Sequence, residues 1–166
     1  QLATVDALSG GRLEVGLGVG DSFAGEDFTA LGLPFPGWRA RFATFRSWVE
    51  RLRWLLSPAS PLSARPEQQP IPMILGGRSA AVRRLAISLR AGWNLSAGSV
   101  EEFRRLKGGQ PDPQAQVFTR ALGSVSETVA AYRAAGATRL VFVLQPPVEP
   151  ADIRTIARLA GLATGR

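Results

Sequence analysis

Neither histidine nor cysteine occurs anywhere in the 166 residues. Without them no Ser-His-Asp or Cys-His nucleophile pair, thiolate relay, Cys/His zinc cluster or disulfide framework can form. Any chemistry is therefore expected to arrive with a bound cofactor. The sequence also lacks a basic-then-apolar leader and any run of about 18 apolar residues, so nothing predicts export or a membrane span, and the cytoplasm is the expected location. Methionine occurs once, as Met73, and Gln1 stands first. Because residues 2–6 read as the tail of a helix, the chain is expected to begin in mid-fold.

Lysine is nearly absent too. Lys107 stands alone among 20 basic residues set against 13 acidic ones, a formal charge of +7. The arginines are scattered through every segment and form no cluster interleaved with aromatics, so no nucleic-acid surface is predicted. The excess charge reads as a compositional bias shared with the abundant Ala, Gly and Leu.

What remains is a composition close to the globular average, with 45% hydrophobic and 20% charged residues. Residues 1–166 are read as one domain with a sizeable core. Residues 2–8 form a helix with Leu2, Val5 and Leu8 as its apolar stripe, capped by Gly10 and Gly11. Residues 12–18 alternate strictly: Leu13, Val15 and Leu17 face one way and Glu14, Gly16 and Gly18 the other, predicting a strand with a glycine-lined face. Residues 20–37 show no sustained period and read as an ordered loop with room for one helical turn. Trp38, Phe42, Phe45, Val49, Leu52 and Leu56 recur at spacings of three and four, which predicts a strong helix. Trp48 and Trp54 lie off that stripe, so a second surface of this helix is expected to be covered.

Four prolines between residues 57 and 70 predict an irregular connection. A βα series follows. Residues 71–75 form a buried strand and Gly76-Gly77 a turn. Val82, Leu85, Ala86 and Leu89 mark a helix, and a short strand lies at residues 92–95. Ser99 to Glu102 has capping-box spacing. Residues 115–121 read as another strand and Ser124 to Glu127 as a second capping box. It opens a helix carrying Val125, Val129 and Tyr132. Residues 140–144 form a continuous apolar run, the pattern of a strand buried on both faces. Ile153, Ile156, Ala157 and Ala160 line a final helix. Strands and helices alternate about five times, which predicts an α/β parallel sheet, open or barrel-closed.

Two glycine segments are candidate sites. Gly16, Gly18 and Gly20 at a strand's carboxyl end would admit a ligand, or would let the strand cross a crowded interior. The dinucleotide fingerprint is excluded, since no helix starts on these glycines. Asp21 at the mouth of that strand is a candidate acid or an ordinary solvated loop residue. At Gly76-Gly77-Arg78-Ser79 a buried strand opens through glycines into a helix. Backbone N–H groups then point from the positive end of a helix dipole, and Arg78 and Ser79 add donors, so a phosphate fits. The structural alternative is a tight turn with Ser79 as N-cap. Trp93 is either the floor of a flat ligand or core.

Together, residues 6–20, 30–35, 70–77, 92–94 and 135–141 resemble the luciferase-like monooxygenase family, the flavin- and deazaflavin-dependent (β/α)8 barrels. The blocks stand in the family's order over nearly the whole chain. The resemblance implies a deazaflavin coenzyme or FMN at the carboxyl ends of the strands. Its phosphate would lie near Gly76, Gly77 and the turn through Arg78 and Ser79, with Gly18 and Gly20 beside the ring. It implies hydride transfer with a small organic substrate, or reaction of reduced flavin with oxygen, and an acid at Asp21 contributing proton transfer.

Ala43 and Thr44 stand where the family carries an acidic pair, and Ala91 where an aspartate usually precedes Gly-Trp. The block at residues 6–20 resembles the family's fourth strand, so the chain is expected to be a partial TIM (β/α)8 barrel of about five βα units lacking the first three strands. Such a sheet is expected to associate through its exposed edge, as a homodimer for example. The rival expectation is a non-catalytic α/β module that binds a phosphorylated ligand or a protein partner.

Overall fold

The computed structural model describes residues 1–20, 24–96, 98–119 and 124–161, the last two residues of the third stretch by backbone alone. It is α/β, with parallel strands alternating with helices as in part of a (β/α)8 barrel. Two compact units divide it, residues 1–76 and residues 77–166.

The first unit contains α1 (Leu2–Leu8), β1 (Val15–Gly18), α2 (Ala24–Ala30), α3 (Trp38–Leu55) and β2 (Met73–Gly76). β1 and β2 pair in parallel, Val15 with Met73 through Gly18 with Gly76. The α1 helix forms where expected and ends in Gly10 and Gly11 at positive φ, whose amides donate to Ala7 and Asp6 carbonyls. Its inward face differs from the one expected. Ala3 and Asp6 are buried, whereas Val5 is 47% and Leu8 84% exposed. A charged side chain faces inward because it has its own set of donors, so the apolar stripe rotates outward.

β1 is shorter than the alternation of residues 12–18 suggests. Leu13 pairs elsewhere: its carbonyl accepts from Gln68 Nε2 and its amide donates to the Asp6 carboxylate. The stretch read as loop holds α2, a helix of seven residues. In α3 the stripe is confirmed at its centre, where Phe45 and Val49 are buried. Trp48 remains 67% exposed, so the expected covering of this second face is absent among the described residues.

The second unit contains α4 (Ala80–Leu89), β3 (Gly92–Ser96), α5 (Val100–Leu106), β4 (Pro113–Thr119), α6 (Val125–Ala134), β5 (Arg139–Leu144) and α7 (Pro150–Leu159). β3, β4 and β5 pair in parallel in sequence order. Its centre is aromatic. The fully buried Trp93 stacks on Phe103 at 6.1 Å between centroids, and Phe103 meets Tyr132 edge-on at 5.5 Å. Burying such a ring stabilises the fold by about 1.5–3 kcal/mol. Burial pushes the Tyr132 phenol up, Glu101 and Glu102 add to this, and the protonated hydroxyl donates to the Gly98 carbonyl at 2.6 Å.

Three expectations fail toward the carboxyl-terminal end. β5 was expected to be buried on both faces, yet it is only partly covered, with Val141 40% exposed. The apolar run reflects a strand built for cover on both sides, and the described residues supply only part of that cover. The stripe of α7 is likewise half-open: no residue of it is buried and Ile153 is 59% exposed. At Ser124 the capping position is occupied, but the side chain makes no cap bond, because the backbone there (φ −92°, ψ 0°) is not extended.

Candidate functional site

In the first unit, β1 presents its glycine face as an open surface. Gly16, Gly18 and Gly20 are exposed, and a Cβ at any of them would meet nothing within 4 Å. Packing within the described chain therefore does not demand glycine at Gly16 or Gly18. Gly20 has φ +80°, which favours glycine on backbone grounds. Gly76, registered beside Gly18, is half-buried, and a Cβ there would lie 3.7 Å from the Leu17 carbonyl oxygen. Asp21 lies outside the described residues.

In the second unit the turn from Gly77 into α4 is specified residue by residue. Gly77 has φ +145°, and its N–H donates to the Asn94 carbonyl at 3.1 Å while its own carbonyl accepts from Trp93 Nε1 at 2.7 Å. A Cβ at Gly77 would lie in ordinary contact with the buried Val82, 3.4 Å away. Trp93 is thus core, and its indole N–H fixes the turn rather than flooring a ligand. Ser79 caps α4, its Oγ accepting from the Val82 amide at 3.2 Å, which leaves the hydroxyl hydrogen available to donate. Arg83 N–H donates to the Ser79 carbonyl. The amides of Ala80 and Ala81 precede the first intrahelical bond and point outward from the helix start.

Arg78 is directed at Glu102, whose carboxylate accepts from its guanidinium at 2.5 Å, and Arg105 lies 3.9 Å from the other oxygen. Sequence reasoning missed this role of Glu102. The capping spacing was real, since Ser99 Oγ accepts from the Glu102 amide at 3.1 Å. That spacing says nothing about a carboxylate reaching back 24 residues to Arg78. The turn therefore offers first-turn amides, a hydroxyl donor and a guanidinium already neutralised by one carboxylate. This donor set fits a phosphate, with the helix start as its main contribution. No group of three or more acidic, His or Cys side chains able to hold a metal exists among the described residues. Nor is any described helix long and apolar enough to cross a membrane.

Parallel strands alternating with helices are the arrangement found in part of a (β/α)8 barrel. The profile of luciferase-like monooxygenases matches residues 1–108, nearly two thirds of the chain. The chain belongs to the luciferase-like monooxygenase family, whose members are flavin-type oxidoreductases. Among solved structures it is similar to the monooxygenase RslO1 from Streptomyces bottropensis, with a TM-score of 0.65 at 19% identity. That match covers 96% of this chain and 70% of the other, and it shows the fold. No curated protein matches the chain.

Proposed function

We propose that the chain forms part of a flavin- or deazaflavin-dependent oxidoreductase that acts on a small organic substrate. The family match over residues 1–108 carries this reading. The bound flavin or deazaflavin would supply hydride transfer or oxygen activation, which a chain without His or Cys needs from outside. In this reading the first-turn amides of α4 and the Ser79 hydroxyl hold the phosphate, and Gly77, at φ +145°, supplies the backbone turn that leads into them. Arg78 contributes with its charge balanced by Glu102. Gly18 and Gly20 of β1 are assigned to the ring on the strength of the resemblance alone. Asp21 is assigned proton transfer on the strength of the resemblance alone.

An absorbance titration with FMN and with a deazaflavin coenzyme, competed by inorganic phosphate, tests the proposal. Saturable binding that depends on the ring supports it. Binding that follows the phosphate alone and ignores the ring would replace it with a non-catalytic phosphate-binding module.

A further inference from the structure

We propose that the cavity between the last turn of α3 and the chain entering β2 is a second ligand site, for a small amphipathic carboxylate. It lies wholly in the first unit and is independent of the flavin reading. The cavity holds about 400 Å³, within the range of small-molecule pockets. Its floor is apolar, built from Leu56, Pro58 and the buried Ile71 and Met73. The exposed Arg53 and Gln69 also line it, and no acidic side chain does.

The sign of the ligand follows from how α3 spends its charges. Its one carboxylate, Glu50, is taken by Arg46 at 2.8 Å. Arg51 lies over the Trp54 ring at 4.7 Å, and Arg41 donates to the Pro36 carbonyl and covers Phe35. Arg53 has no such partner among the described residues, and it is the one cation on the cavity. The negative end of the α3 dipole opposes an anion there. That partial charge is reduced, because the Leu56 and Ser57 amides and the Ser57 hydroxyl bond the Leu52 and Trp54 carbonyls. A full guanidinium charge outweighs the remainder. An apolar tail would cover the floor residues while its carboxylate meets Arg53 and the Gln69 amide, the pairing that a neutral or cationic ligand cannot make.

The test is amide-resolved NMR of the 166-residue chain titrated with octanoate and, separately, with octanamide. Saturable shifts centred on residues 53–58 and 69–73 are expected for octanoate, with octanamide weaker by about tenfold, the scale of one charge-assisted hydrogen bond. Arg53→Gln, at an exposed position, should leave the spectrum otherwise intact and erase the difference between the two ligands. Equal binding of both ligands to the native chain, unchanged octanoate affinity in Arg53→Gln, shifts elsewhere, or no saturable binding would each overturn the proposal.

Discussion

Asp6 in α1 and Gln68 in the proline-rich connection are joined twice. The fully buried carboxylate accepts from the Gln68 backbone N–H at 3.0 Å and from its Nε2 at 2.8 Å. Gln68 Nε2 also donates to the Leu13 carbonyl at 2.5 Å. One glutamine thus ties the end of a helix, the entry to β1 and an irregular loop into a single unit. Burial on its own pushes the Asp6 carboxyl up, but hydrogen bonds from Gln68, Leu13 and Glu67 outweigh it and hold the group below its ordinary 3.8.

Acid should undo this clamp. Because the folded-state pKa lies below the unfolded one, the stability contributed by ionised Asp6 is fully present above 3.8 and is lost as pH falls through the folded value. Thermal melts across the acidic range should therefore show a component of acid destabilisation that Asp6→Asn lacks. Asp6→Ala should melt lower than Asp6→Asn, since asparagine keeps one acceptor for the Gln68 amides. Identical acid profiles for native and Asp6→Asn chains would contradict the assignment.

Trp93→Phe removes both the indole donor to Gly77 and part of a fully buried ring. A loss of about 2–4 kcal/mol is expected, from an unpaired carbonyl plus a partly collapsed cavity. Denaturant unfolding measures it, and a loss within error of zero would mean that the turn does not rely on this bond.

Gly77→Ala meets one obstacle, a φ of +145°, since its Cβ would only reach ordinary contact with Val82 at 3.4 Å. It should cost about 1–3 kcal/mol, read by denaturant unfolding. A loss within error of zero would mean that the turn tolerates an L side chain.

The half-open faces at Val141 and Ile153 predict association. We propose pairing of copies through β5, which pairs with β4 alone among the described residues. Light scattering should report species larger than a monomer, and Val141→Lys should reduce them. A monodisperse monomer that binds no hydrophobic dye would contradict this.

Much of the fold was legible because period and punctuation survive in the sequence. The α3 stripe at Phe45 and Val49, the Ser79 and Ser99 caps and the positive-φ glycines all stand where spacing placed them. The misreadings share one physical cause. Leu2, Val5 and Leu8 looked like the inner face of α1 because hydrophobicity was taken as the sign of burial, while Asp6 is buried by virtue of donors that lie 62 residues away. The Arg78–Glu102 pair is equally nonlocal. β5 and α7 carry apolar patterns written for neighbours that the described residues do not supply. In the candidate site the turn was readable from two glycines and a serine. Which of its donors are already engaged was not, since that depends on Asn94, Trp93 and Glu102 reaching it through the fold.

The most direct measurement is a paired titration with FMN and riboflavin, which share a ring and differ by the phosphate. If the α4 turn holds the phosphate of a flavin-type cofactor, FMN should bind the chain tighter than riboflavin by about tenfold or more, the worth of one or two charge-assisted hydrogen bonds at a helix start. Free phosphate should narrow the gap. Equal affinity for FMN and riboflavin, or no ring-dependent binding by these flavins or by a deazaflavin coenzyme, would contradict the account.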